Sequence, residues 1–167
     1  MITKVRFKFQ LKHTLQGDIC IPIDSLSARI RSGSPSYLQV TIPDYDTYLA
    51  AVSARATNGK MYLYKSVDKG AWALVMWVNL ENIYSDRGPV NKSITLSGHR
   101  TFSNSSPQTI TLSDYTYAYN RGSNGVRCSV YNTVNPGDTI IYGASSFVVD
   151  LVTLNVSTSM TLELKEA

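Results

Sequence analysis

The sequence predicts a mainly β fold, an antiparallel β-barrel or sandwich with one short flanking α-helix. Apolar and polar residues alternate with a period of two along most of the chain, which is the pattern of half-buried strands. Clusters of Gly, Pro, Asn and Ser separate these segments, residues 31–35 and 85–89 among them, and such clusters favour turns between antiparallel neighbours. One segment departs from the alternation and has helical spacing. We therefore expect residues 1–167 to form a single β-domain.

The first predicted strand has one apolar and one basic side. The apolar residues are Val5, Phe7, Phe9 and Leu11, and the basic residues are Lys4, Arg6, Lys8 and Lys12. The basic row is a candidate basic face. A solvated strand face, or an edge whose lysines discourage uncontrolled pairing, is the favoured interpretation, and phosphate binding is the alternative.

Residues 71–78 form a predicted strand that is apolar on both faces and contains Trp72 and Trp77. Such a strand must be covered on both sides. The core would cover one side, and a helix or a neighbouring subunit would cover the other. Both tryptophans are candidate interface residues.

The predicted helix covers residues 44–57. Its apolar residues recur at helical spacing, Asp44 is a suitable N-cap, and Asn58-Gly59 is a suitable stop. It is the natural cover for the second face of the apolar strand, and Tyr45 and Tyr48 join the candidate interface.

A second aromatic row is formed by Tyr115, Tyr117 and Tyr119, with Arg121 beside it. Aligned tyrosines can bind sugar rings or bases. Packing into an interface or partly into the core is the favoured interpretation, so these four residues complete the candidate interface.

The sequence offers little material for catalysis. His13 and His99 are expected to be hydrogen-bonded strand-end residues, and no phosphate-binding loop, zinc-protease or nucleophile-elbow motif is present. Cys20 and Cys128 are expected to be buried reduced thiols, with a disulfide or paired ligands as alternatives. We predict no enzyme activity, catalytic residue, metal ligand or cofactor.

Composition favours lasting contacts with other proteins. Charged residues make up 17% of the chain, against roughly 25% in typical domains, and Tyr, which is enriched at interfaces, is frequent. The net charge of +4 comes with no basic tail, so specific nucleic-acid binding is not predicted. Without an apolar leader or a membrane-length apolar run, the chain is expected to be soluble and made in the cytoplasm.

Several phrases together resemble small virion structural proteins of tailed bacteriophages and prophages. They are Leu-Ser-Ala-Arg-Ile-Arg-Ser-Gly-Ser-Pro-Ser-Tyr-Leu at 26–38, Val-Thr-Ile-Pro-Asp at 40–44, Ile-Thr-Leu-Ser-Gly-His-Arg-Thr at 94–101, Val-Arg-Cys-Ser-Val at 126–130 and Asn-Pro-Gly-Asp-Thr at 135–139. The resemblance runs from about Leu26 to the C-terminus. It implies the tail-tube fold shared by tube, distal-tail and hub domains, and assembly into homo-oligomeric rings, usually trimers or hexamers.

The predicted function is therefore that of a tail or baseplate component of the virion, acting by assembly with itself and with neighbouring tail proteins. Two alternatives stay open: a receptor-binding or carbohydrate-binding β-module, and a minor capsid or head-decoration protein.

Overall fold

The computed structural model describes residues 4–31, 33–43, 46–87, 92–112, 115–117, 125–129, 134–142, 144–155 and 159–166. The predicted mainly β fold with one short helix is confirmed, and a sandwich describes it better than a barrel, because over the described residues neither sheet closes on itself. The strands are β1 (Val5–Lys12), β2 (Ile19–Ile21), β3 (Ser25–Arg31), β4 (Pro35–Pro43), β5 (Lys60–Val67), β6 (Ala73–Asn79), β7 (Asn82–Arg87), β8 (Lys92–Thr101), β9 (Thr109–Thr111), β10 (Tyr115–Tyr117), β11 (Gly125–Ser129), β12 (Thr139–Tyr142), β13 (Ser145–Asn155) and β14 (Ser159–Glu166), and the helix is α1 (Asp46–Ala54).

The chain divides into two compact units. The first contains Met1–Ser27 and Tyr37–Arg100, and the second contains Ala28–Ser36 and Thr101–Ala167. The single-domain organisation stays a prediction. No helix in the described part of the chain is long and apolar enough to cross a membrane.

The first unit is built on an antiparallel sheet with the strand order β2-β1-β5-β6. One side of this sheet is apolar and buried, and its side chains are Phe9, Leu11, Ile21, Met61, Leu63, Met76 and Val78. A second layer of fully buried side chains in the same unit comes from β4 and β8, namely Leu38, Val40, Ile42, Ile94 and Leu96. The core of this unit therefore lies between two layers of strands, as in a sandwich.

Strands β6 and β8 approach each other very closely at Gly98. A Cβ on Gly98 would overlap the carbonyl oxygen of Asn79 and would lie 3.2 Å from Val78 Cγ2. Only glycine leaves room for this approach.

Helix α1 is shorter than the predicted 44–57. Residues 44 and 45 lie outside the described residues, and the helix ends at Ala54. The next backbone N–H groups donate to carbonyls three residues back, Arg55 to Val52 and Ala56 to Ser53, which tightens the last turn. The predicted stop is confirmed, because Asn58 has a φ of 63°.

The guanidinium group of Arg55 holds the end of the helix in place. It donates to the carbonyl oxygens of Ala51 at 2.8 Å, Gly17 at 2.9 Å and Gln16 at 2.7 Å. These bonds tie the helix end to the loop between β1 and β2, and Val52 is the helix residue that is fully buried.

The second unit is organised around the buried carboxylate of Asp138, which is 2% exposed. One carboxylate oxygen accepts hydrogen bonds from Asn104 Nδ2 at 2.9 Å and from the N–H of Gln108 at 3.0 Å, and the other accepts from the N–H of Asn135 at 2.8 Å. The carboxylate thus connects the turn before β12 to the segment before β9, and β9 pairs in parallel with β12.

Candidate functional site: a basic and aromatic face

The outward side of the first sheet, opposite its core, carries cations and aromatic rings. We call this surface the basic-aromatic face. Its residues are Arg6, Lys8 and Lys12 of β1, Lys60, Tyr62 and Tyr64 of β5, Trp72 and Trp77 in and before β6, and Arg100 of β8.

Strand alternation and register bring these side chains together. Lys8 pairs with Tyr64 across β1 and β5, and Tyr62 pairs with Trp77 across β5 and β6. Residues directly opposite each other in an antiparallel pair point to the same side of the sheet. Because the residues between them point into the core, the outward positions collect on one surface.

The rings form a stacked group. The rings of Tyr62 and Trp77 are nearly parallel, with an interplanar angle of 9° and centroids 5.7 Å apart. Tyr64 stacks on Tyr62 with centroids 6.2 Å apart and an angle of 22°. This is the offset geometry that aromatic pairs prefer, and it gives the face a rigid aromatic base.

At the Lys12 end of the face, cations lie over the rings of this stack. Lys12 Nζ is 4.3 Å from the centroid of Tyr62, and Lys60 Nζ is 4.9 Å from that of Trp77. Arg100 Cζ is 4.1 Å from the same tryptophan ring. Each contact is worth about 0.5–1 kcal/mol at an exposed site, so the ring contacts alone hold the two lysines only loosely.

At the other end, Trp72 lies beneath two cations. Lys8 Nζ is 4.8 Å and Arg6 Cζ is 5.3 Å from its ring centroid. Arg6 also approaches the hydroxyl oxygen of buried Ser66 at 3.4 Å, while that hydroxyl donates to the carbonyl of Gly70 at 2.7 Å. Ser66 thereby connects Arg6 to the turn between β5 and β6.

Arg100 reaches the face from the other layer of strands. Its Nε donates to the carbonyl oxygen of Trp77 at 2.8 Å, and its guanidinium group covers the tryptophan ring. The close approach of β8 to β6 at Gly98, two residues earlier, makes this reach possible.

The face is positively charged at neutral pH. No outward position of β1, β5 or β6 in the part that the structure describes is Asp or Glu. A hydrogen bond to Tyr64 raises the pKa of Lys12 above its ordinary value, and the nearby charge of Asp18 acts in the same direction. Lys12 therefore keeps its proton well beyond neutral pH.

The predicted helix does not cover the second face of the two-sided apolar strand, and cover by a neighbouring subunit stays a prediction. The strand's inward residues Met76 and Val78 are buried, but Trp72 is 39% exposed and Leu74 is 50% exposed. The groups that lie over its tryptophans are cations of the same chain, not the helix. Arg6 and Lys8 of β1 lie over Trp72, and Lys60 and Arg100 lie over Trp77, so their aliphatic stems and charged ends cover ring surface.

The predicted basic face and the predicted tryptophans thus belong to one surface, except for Lys4. Lys4 lies just before β1, where its backbone N–H donates to Asp68 Oδ1 at 2.8 Å. Of the other candidate interface residues, Tyr48 lies half-buried on α1, and Tyr45, Tyr119 and Arg121 lie outside the described residues. Tyr115 and Tyr117 pair with β11 through their backbone, and their side chains are outside the description.

Sequence reasoning missed four members of the face. Tyr62 and Tyr64 alternate with the buried Met61 and Leu63, so the period of two carried a usable signal for them. Lys60 begins the same alternation, whereas Arg100 carried no local signal, because its place on the face depends on the packing of β8.

The cysteine and histidine predictions have different outcomes. Cys20 is a free, exposed thiol and not a buried one, because it lies on the short strand β2 opposite Gln10, on the outward side of the sheet. The side chain of Cys128 lies outside the description. Both histidines are hydrogen-bonded as predicted, His13 Nε2 at 2.8 Å from the carbonyl oxygen of Thr57 and His99 Nδ1 at 2.9 Å from Glu81 Oε2.

Comparisons with known proteins give a likeness of fold. No protein-family model matches the chain, and no curated protein matches it in sequence. Among solved structures, it is similar to the tail protein from Neisseria meningitidis MC58, with a TM-score of 0.57 and 8% sequence identity, over 96% of each chain. At this identity the likeness concerns the fold.

Proposed function

We propose that this chain is a structural component of a bacteriophage tail that acts by assembly with other tail proteins and not by catalysis. The observation that carries the proposal is the likeness of fold, over 96% of both chains, to a protein described as a tail protein. The sequence resemblance to small virion proteins of tailed bacteriophages, which runs from about Leu26 to the C-terminus, supports the same role.

Exposed apolar surface supports an assembling role. Leu15 is 87% exposed and Tyr84 is 67% exposed, both in the first unit and outside the basic-aromatic face. Large apolar side chains that stay open in the isolated chain are suited to contacts with a neighbour.

The decisive experiment locates the chain in particles. Tailed particles from a host that carries this gene are purified, analysed by mass spectrometry and labelled with gold-conjugated antibodies against the chain. The proposal expects the chain in the particles and gold at the tail. Intact tails that lack the chain would overturn it, and gold confined to the head would favour the head-decoration alternative.

The finer prediction is a homo-oligomeric ring. Size-exclusion chromatography with light scattering is expected to give three or six times the 18.5 kDa of one chain, alone or after mixing with the adjacent tail proteins. A chain that stays monomeric in both conditions would contradict the ring. Binding to immobilised glycans by that monomer would favour the receptor-binding alternative.

A further inference from the structure

The basic-aromatic face combines two features that a linear polyanion with flat rings can use together. The cations Arg6, Lys8 and Lys12 follow β1 as a row of about 20 Å, given about 3.3 Å per residue. The aromatic residues of β5 and β6 run parallel to this row, one and two strands away. We propose that this face binds single-stranded nucleic acid without sequence preference, phosphates along β1 and bases over β5 and β6.

The dimensions of the face favour a single strand over a protein partner. Three strands about 4.8 Å apart make the face about 10 Å wide. With a length of about 20 Å, the face covers about 200 Å². This area is far smaller than the roughly 800 Å² that each partner buries in a stable protein interface. A narrow row of charges beside a narrow row of rings suits a thin polymer.

The chemistry also separates the single strand from other polyanions. The carboxylates of an acidic peptide would bind the cations but would not stack on the rings. Duplex DNA keeps its bases stacked inside the helix, so they cannot stack on the rings either. Proteins that bind single strands without sequence preference combine a basic track with aromatic rings on which the bases stack. Here both parts lie on one sheet surface.

The cations over the rings do not prevent stacking. A base stacked on an aromatic side chain contributes more than one exposed contact between a cation and a ring. A base can therefore replace Lys12 over Tyr62 or Lys8 over Trp72 while the ammonium group turns to the phosphate. The flexible lysine stems allow this movement.

The test uses the intact chain and an oligothymidylate of about 12 nucleotides, which is within the about 4–16 nucleotides that one OB-fold binds in other single-strand-binding proteins. Trp72 and Trp77, the two tryptophans of the chain, both lie on the face, so intrinsic fluorescence reports binding without a label. We expect quenching on binding. A plot of log affinity against log salt should have a slope of about −2.1, from the three β1 cations at about 0.7 each.

Two variants and a matched control test the assignment. Lys8→Gln with Lys12→Gln should reduce the size of the salt slope by about 1.4, given about 0.7 per phosphate contact. Trp72→Leu should weaken binding by about tenfold, the equivalent of about 1.4 kcal/mol, which is within the range of one base stack. Arg29→Gln with Lys92→Gln removes the same charge from exposed positions on β3 and β8 and should change neither quantity beyond a general charge effect.

Competing ligands decide which partner the face fits. An abasic oligonucleotide of equal length should bind at least about tenfold more weakly, because it offers phosphates without bases. The proposal would be overturned if polyglutamate, duplex DNA or the abasic strand bound as tightly as oligothymidylate. Equally tight binding of polyglutamate would indicate an acidic protein partner instead. Absence of binding at low salt would overturn it as well. None of these results depends on whether the chain is found in tails.

Discussion

Charge is handled in opposite ways at Asp138 and on the basic-aromatic face. Asp138 is 2% exposed, and three N–H donors at 2.8–3.0 Å satisfy its two carboxylate oxygens. The five cations of the face lie near the surface, each over the face of an aromatic ring, and Arg6, Lys12 and Arg100 each also make a hydrogen bond. One site is a fully satisfied anion inside its unit, and the other is a set of cations that still face solvent.

The difference separates charges that hold the fold from charges that are available to a partner. A buried charge is tolerated only when hydrogen bonds replace the water that it has lost, so its donors are fixed in place. An exposed cation over a ring gives up little when it moves to an anion. Removal of each kind of group should therefore affect different properties.

The largest effect is expected at Gly98, which borders the face but serves the fold. Gly98→Ala should lower the free energy of unfolding by about 3 kcal/mol or more, because the new Cβ overlaps the carbonyl oxygen of Asn79 and the backbone must move. Urea unfolding followed by circular dichroism measures the loss. Ser97→Ala, one residue earlier, is the control and should change stability by less than about 0.5 kcal/mol. Equal stability of the two variants would show that β8 and β6 do not need the close approach.

Asp138→Ala is expected to have the next largest effect. It leaves the N–H groups of Gln108 and Asn135, which donate to this buried carboxylate, without their acceptor, and this should cost about 2–4 kcal/mol of unfolding free energy. The same urea titration applies, and Asp24→Ala, at an exposed position, is the matched control. If Asp138→Ala lost no more unfolding free energy than Asp24→Ala, the buried carboxylate would not be a group that stabilises the fold.

Neutralisation of the face should leave the fold almost unchanged. Lys8→Gln with Lys12→Gln loses contacts worth about 0.5–1 kcal/mol each and relieves repulsion among the cations, so the net change should stay below about 1 kcal/mol. Added salt should stabilise the unchanged chain slightly, since it screens like charges, and should stabilise the variant less. A loss as large as that of Asp138→Ala would mean that the face is structural.

The smallest expected change is in the pKa of one side chain, that of Lys12. The hydrogen bond to Tyr64 raises the pKa of Lys12 above its ordinary value of 10.5, so Tyr64→Phe should lower this pKa. Because the folded-state pKa is the higher one, the stabilisation is present at neutral pH and is lost as the pH rises through that pKa. Nuclear magnetic resonance titration of the lysine side chains measures the shift. Tyr37→Phe, on β4, should leave the pKa of Lys12 unchanged, and an equal shift in both variants would contradict the assigned cause.

Local patterns predicted the elements whose residues alternate clearly or have caps. The alternation of β1 and the Asn58-Gly59 stop of the helix were both informative. Strand β3 was missed, although Leu26, Ala28 and Ile30 alternate and are buried, because the polar residues Ser27 and Arg29 between them and the Gly and Pro that follow the segment are typical of a loop. In β7, residues 85–87 were assigned to a turn, because Ser and Asp with the Gly and Pro that follow them are typical turn residues. Pairing with β8 overrides this preference.

The face could be predicted only in part for a physical reason. The β1 row and the two tryptophans are visible as local patterns, but nothing local shows that they share one surface. That depends on the register of β1, β5 and β6, including the irregularity between Leu63 and Tyr64 that shifts the pairing of β6. The place of Arg100 depends on the approach of β8, which is a tertiary contact between residues distant in sequence.

The exposed thiol of Cys20 gives experiments a chemical handle at the margin of this surface. It lies on β2 opposite Gln10, between the positions of Lys8 and Lys12 along β1. With Cys128→Ser as the only change to the chain, a maleimide dye or spin label would attach at one defined point. Distances from that point to a labelled oligonucleotide or a neighbouring protein could then be measured with every residue of the face left as it is.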